Sequence, residues 1–200
     1  MIRALALALA LAFASPARAA GPSPTTGTTP AAGPFTYVGS AKCRLCHGAD
    51  RVGNQYHLWA ESKHAKAFET LGSDKARAMA KKQGIADPQK APECLPCHVT
   101  GYGEPVERFG KSYSQAEGVT CEACHGAGSG FSKLSIMQGI RGGTLQAEDY
   151  GLTVRVDKTA CARCHNQKPL SGGFVDWPKD STAIAHPIPP GYESGSQTPP

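Results

Sequence analysis

The chain has 200 residues, enough for one domain, with a formal charge of +5, 23 glycines, 16 prolines and 7% aromatic residues. No long basic run with interleaved aromatics occurs, which counts against nucleic-acid binding. Rossmann, phosphate-loop, nucleophile-elbow and zincin signatures are also missing from the sequence. With so little bulky apolar sequence, such a chain does not bury an ordinary hydrophobic core.

The N-terminus reads MIRALALALALAFASPARAA. Arg3 forms a positive start, Ala4 to Ala14 an apolar run, and Ala17-Arg18-Ala19 a small-residue cleavage site. This predicts a secretory signal peptide over residues 1–19 and a periplasmic protein. The run is too short to cross a bilayer, so no transmembrane segment is expected in the mature chain. Arg3 and Arg18 leave with the signal, and the mature chain keeps 19 basic against 16 acidic side chains, a formal +3. Residues 20–34 are a Pro/Thr/Gly linker and 191–200 a tail of similar composition, leaving 35–190 as the folded domain.

Within that domain the first feature is CRLCH at 43–47. Asn54 to Leu71, NQYHLWAESKHAKAFETL, is predicted as a single helix stopped by Gly72. On it His57 and His64 stand seven residues apart. That is about 10.5 Å of rise, with both imidazoles on one side but too far apart to share one iron. A second helix runs from an Ser73 N-cap to a stop at Gly84. CLPCH follows at 94–98, then GYGEPVERFGKSY, which has no helical period and is read as a short hairpin. CEACH occupies 121–125 and Met137 sits just beyond it in FSKLSIMQGI. A weak strand signal covers Leu152 to Val156. Asp157 or Thr159 caps a short helix carrying CARCH at 161–165, and a helical turn at 180–187 ends at Pro187.

All eight cysteines thus lie in four Cys-x-x-Cys-His motifs: Cys43 and Cys46, Cys94 and Cys97, Cys121 and Cys124, Cys161 and Cys164. This is the attachment signature of c-type haem. Two thiols on one helical turn meet the two vinyl groups of one porphyrin, and the next residue turns its imidazole toward the iron. Zinc sites and exported redox dithiols also use Cys-x-x-Cys, but neither needs a histidine after every pair. The motifs therefore predict four covalently attached haems, with His47, His98, His125 and His165 as iron ligands. The fold class that follows is mainly α with extensive irregular loops, a small multihaem cytochrome c whose four haems form the core.

Seven histidines less these four leave His57, His64 and His186 for four sixth positions, so at least one iron lacks a second histidine. Methionine is the usual alternative, and the mature chain offers Met79, among lysines and alanines, and Met137. Both also read as packing residues.

The segments YVGSAKCRLCH, W-x-x-S-x-HAKAFETL, CLPCHVTGYG, GVTCEACHGAGSGF and CARCH together resemble the cytochrome c-554 family of tetrahaem cytochromes. The resemblance implies a mainly helical fold with haems in stacked pairs. It implies that His64 completes the haem of His125, that His186 completes that of His165, and that the iron of His98 keeps an open sixth position. In the family the first haem's distal histidine follows the third motif. No histidine lies between His125 and His165 here, and Met137 falls near that place as candidate ligand for the iron of His47. His57 has no counterpart.

The function expected is an exported electron carrier between redox partner proteins, either other cytochromes or a respiratory dehydrogenase or reductase. No catalytic residue stands out beside the haems. The alternative is a haem enzyme acting on a small nitrogen species such as nitric oxide, nitrite or hydroxylamine at an open iron.

Overall fold

A computed structural model describes residues 35–166, 176–177 and 179–188. Nine short helices are found among them, joined by irregular chain and four 3-10 turns. In order they are α1 (Ser40–His47), α2 (Gln55–Glu61), α3 (Ala67–Leu71), α4 (Asp74–Lys82), α5 (Leu95–His98), α6 (Cys121–His125), α7 (Leu134–Arg141), α8 (Lys158–Ala162) and α9 (Lys179–Thr182). The mainly α class with extensive loops is what the sequence predicts. The first 34 residues, the tail and the linker lie outside the described residues.

The helix expected over 54–71 is two helices. Ser62 ends α2, and its hydroxyl accepts from the Ala65 amide at 3.3 Å, diverting the backbone into a turn. The His64 carbonyl accepts from both Ala67 and Val119 amides, at 3.1 and 3.0 Å. Gly118, at φ +71°, packs on that turn so closely that a Cβ would meet the His64 carbonyl oxygen at 2.7 Å. The two imidazoles are therefore not on one helical face. Gly72 does cap α3, and Ser73 does cap α4 by accepting from Ala76.

Two further elements differ from expectation. GYGEPVERFGKSY holds a 3-10 turn at Val106–Arg108, not a hairpin, and its pairing is a lone bridge from Phe109 to Tyr37. Residues 152–156 form no strand; the Thr153 amide and carbonyl are both spent on His125. Asp157, not Thr159, caps α8. The 180–187 turn is helical only as far as Thr182.

The start of α1 has no side-chain cap of its own, although its first N–H groups need acceptors. Two distant carboxylates supply them. Glu122 on α6, 3% exposed, accepts from Val38 and Gly39 amides at 2.8 and 2.9 Å and from Gly128 at 2.7 Å. Glu117 accepts from the Ser40 amide and hydroxyl at 3.0 and 2.8 Å. Negative charge at a helix N-terminus is favourable, so the first and third motifs are clamped side by side.

Buried apolar side chains are few and small. Leu71, Leu95 and Val99 make one cluster, with Phe68 packed against it. Ile140, Ala147 and Leu152 make another, joined by Phe131, Ile136 and Met137. Among the described residues the largest fully buried side chains are Thr100 and Ser40, whereas Leu45 and Leu134 are 79% and 61% exposed.

Candidate functional site

Each motif sits on a short helix or its end: the first on α1, the second on α5, the third on α6 and the fourth on α8 and the turn after it. The reason is local. One helical turn brings residues three apart onto the same side, so the two cysteines of a motif stand together and histidine begins the next turn.

Three motif histidines are oriented from behind. His98 and His125 bring Nδ1 within 2.7 Å of the Ala67 and Thr153 carbonyls, and His47 Nδ1 lies 3.4 Å from Gln55 Oε1. An Nδ1–H held by an oxygen fixes the ring and leaves Nε2 with its lone pair free for a metal.

Two of the remaining histidines meet motif histidines. The His64 and His165 ring centres are 6.1 Å apart at an interplanar angle of 76°, and those of His125 and His186 are 6.0 Å apart at 39°. The partners are exchanged relative to those the family resemblance implies. Because the chain turns at 62–66, His64 reaches the fourth motif, and the C-terminal segment brings His186 to the third. Burial, then the neighbouring His165 charge, depresses His64; burial, then His125 and His47, depresses His186. His57 meets no other histidine. It is exposed, edge-on to Tyr56, with Nε2 3.7 Å from where a Gly48 Cβ would stand. Met137 is half-buried on α7 in the second apolar cluster.

The cysteines are all free thiols. They also show which motifs are neighbours. Cys43 hydrogen-bonds Cys121, which pushes the Cys43 thiol up together with its burial. Burial, then Cys161, raises Cys124; burial, then Cys97, pushes Cys164 up to about 12. Arg163 donates to the Ala123 carbonyl, tying the fourth motif to the third. In space the motifs therefore run first, third, fourth, second. Cys94 is raised as well, chiefly by burial, whereas its hydrogen bond with Cys43 lowers Cys121.

An imidazole–iron–imidazole unit, with metal–nitrogen bonds of about 2.0 Å and about 1.1 Å from nitrogen to ring centre, sets ring centres about 6.2 Å apart. The 6.1 and 6.0 Å separations fit it, as do the free thiols and the oriented Nδ1 atoms. The donor set is that of a c-type cytochrome.

Residues 42–126 match the family described as "Cytochrome c554 and c-prime". Cytochrome c-554 of Nitrosomonas europaea is 35% identical over 100 residues, 48% of this chain and 40% of that protein. The chain thus spans less than half the length of this relative. No solved structure matches. Over residues 42–126 the chain is therefore similar to the cytochrome c-554 family. Among the described residues no helix is long and apolar enough to cross a membrane.

Glu122 and Glu117 escaped the sequence reading. The signal was faint: a glutamate inside CEACH, indistinguishable by spacing from a solvated one.

Proposed function

We propose that this protein is an exported tetrahaem electron carrier, delivered to the periplasm by residues 1–19. The observation that carries the reading is the pair of histidine couples at 6.1 and 6.0 Å. When bound, the haem irons supply one-electron redox chemistry and a route for electrons between them.

The chain's part is to hold and orient. Each cysteine pair fixes one macrocycle, and His47, His98, His125 and His165 ligate its iron. His64 completes the coordination at His165, and His186 that at His125. For the iron at His47 the remaining soft donor that is not exposed is Met137; Met79 is 45% exposed. No residue is assigned to the sixth position at His98. The contiguous order of motifs, first to third to fourth to second, supports transfer through the molecule without bond chemistry. Macrocycles also account for an interior whose own apolar clusters are small. The redox partners are other cytochromes or a respiratory dehydrogenase or reductase.

EPR of the oxidised protein tests this. The expected result is two bis-histidine low-spin haems, one His/Met haem and one high-spin haem, with four haems per chain by pyridine haemochrome. Four bis-histidine signals, or fewer than four haems, would overturn it. Histidine supply favours a second reading: an iron without a second histidine is open to nitric oxide, nitrite or hydroxylamine. Turnover of one of these by the purified protein would establish that enzyme.

A further inference from the structure

The formal charge is not spread evenly. Residues 63–93 hold seven basic side chains against four acidic, and outside this span and the first 19 residues the chain holds twelve of each. The entire excess of +3 therefore lies in one stretch, which comprises α3, α4 and the approach to α5.

Its most outward element is α4. Ala80 is 4% exposed and Ala76 half-buried, which defines the inner face. Lys75, Met79 and Lys82 are spaced i, i+4, i+7, so they line up along one flank. Both lysines are exposed, and Met79 between them is 45% exposed. Lys63, Lys66, Lys81 and Lys90 are exposed as well. An apolar, adaptable side chain between flexible cations is the pattern of a surface that binds a partner by charge and contact together.

The stretch also leads to a haem. The Ala67 carbonyl, at the start of α3, orients His98, and Phe68 and Leu71 of α3 pack on Leu95 and Val99 around the second motif. That motif stands at one end of the spatial order. The other end, at the first motif, exposes Leu45 and Cys46 in a stretch, residues 20–62, with three basic side chains against two acidic, a net +1.

We propose that the Lys75–Met79–Lys82 flank of α4 is the docking surface for an acidic one-electron redox protein, which exchanges electrons with the haem held by His98. This rests on the carrier reading above. In the exchange one electron leaves the partner's reduced centre, which is oxidised, and reaches ferric iron, which becomes ferrous; no atom or proton is transferred. Field lines from the clustered lysines steer the encounter, and salt screens it.

The probe is flavodoxin, a soluble acidic one-electron protein, titrated into the isotope-labelled holoprotein at low ionic strength. Amide shift changes are expected to concentrate in residues 74–83. Reversing both lysines, K75E with K82E, is expected to weaken binding roughly tenfold or more and to slow bimolecular reduction by the same order, whereas K111E with K133E, with an equal change in net charge, moves both about twofold. M79A is expected to weaken binding about threefold, and added salt to erase the difference between the pairs. K75Q with K82Q, which leaves α4 without new charge, guards against a folding artefact and is expected to lie between wild type and the reversal. Equal losses in the two reversed pairs, or shifts centred elsewhere, overturn the proposal. Dithionite reduction of all four haems is read separately: its failure would sink the carrier reading, while intact reduction with no α4 effect would sink only the docking surface.

Discussion

The third and fourth motifs differ from the first and second in what faces them. His125 and His165 each have a second imidazole about one iron-width away, supplied by His186 and His64. His47 and His98 have Gln55 and the Ala67 carbonyl behind them, and among the described residues neither makes such a ring pair, although His186 is near enough to His47 to feel its charge. All four motifs are built alike, so the contrast does not come from them. It comes from which distant residue folds over each: His64 of the 62–66 turn beside the fourth and His186 beside the third. Local sequence builds the motif, and remote chain decides which side chain faces its histidine.

The contrast can be broken or sharpened at several points. The largest effect is expected from withholding haem altogether. If the macrocycles complete an interior whose own clusters are so small, the haem-free polypeptide has no cooperative thermal transition by circular dichroism. A native-like melt would show that the protein alone holds both halves.

His64→Ala and His186→Ala each remove one partner from the paired half. Each is expected to convert one low-spin haem to high-spin in the EPR spectrum, while His57→Ala leaves it unchanged. A double variant should convert two, because the couples belong to different irons.

Glu122→Ala attacks the clamp between the first and third motifs. It leaves two buried amides and one half-buried amide without their acceptor, and a loss of about 3 kcal/mol in urea unfolding of the holoprotein is expected. Glu122→Gln keeps acceptor capacity and is expected to lose less.

Met137→Leu conserves volume, so stability is expected to fall by less than about 1.5 kcal/mol. A thioether ligand raises reduction potential; its loss is expected to lower the potential of one haem and to add one high-spin signal. An unchanged redox titration would leave Met137 as packing for Ile140 and Leu152.

The smallest effect is expected at Tyr113, whose hydroxyl donates to the Thr100 carbonyl at 2.5 Å just past the second motif. Burial, then Glu122, pushes it up to about 12 from 10.0. The fold favours the neutral phenol, so its contribution is full below 10 and is lost as pH rises toward 12. Tyr113→Phe is expected to cost about 1 kcal/mol at neutral pH and to flatten stability in that alkaline window.

Much was legible in the residues. Cap chemistry at Ser73 and Asp157 depends on near neighbours, and both caps form where the spacing puts them. The helix over 54–71 was legible in its parts but not in its break. The break is set by Val119 and Gly118 taking position against His64 from more than fifty residues away. The strand at 152–156 failed for a similar reason, since Thr153 is committed to His125.

The sequence by itself determined the four Cys-x-x-Cys-His motifs, the three histidines outside them and the concentration of positive charge in residues 63–93. These are matters of spacing and counting, and no folding changes them. Only the tertiary structure decided that His64 stands by His165 and His186 by His125, that His57 lies against Gly48, and that the motifs run first, third, fourth, second. Those facts depend on contacts between segments far apart in the chain, where periodicity carries no information.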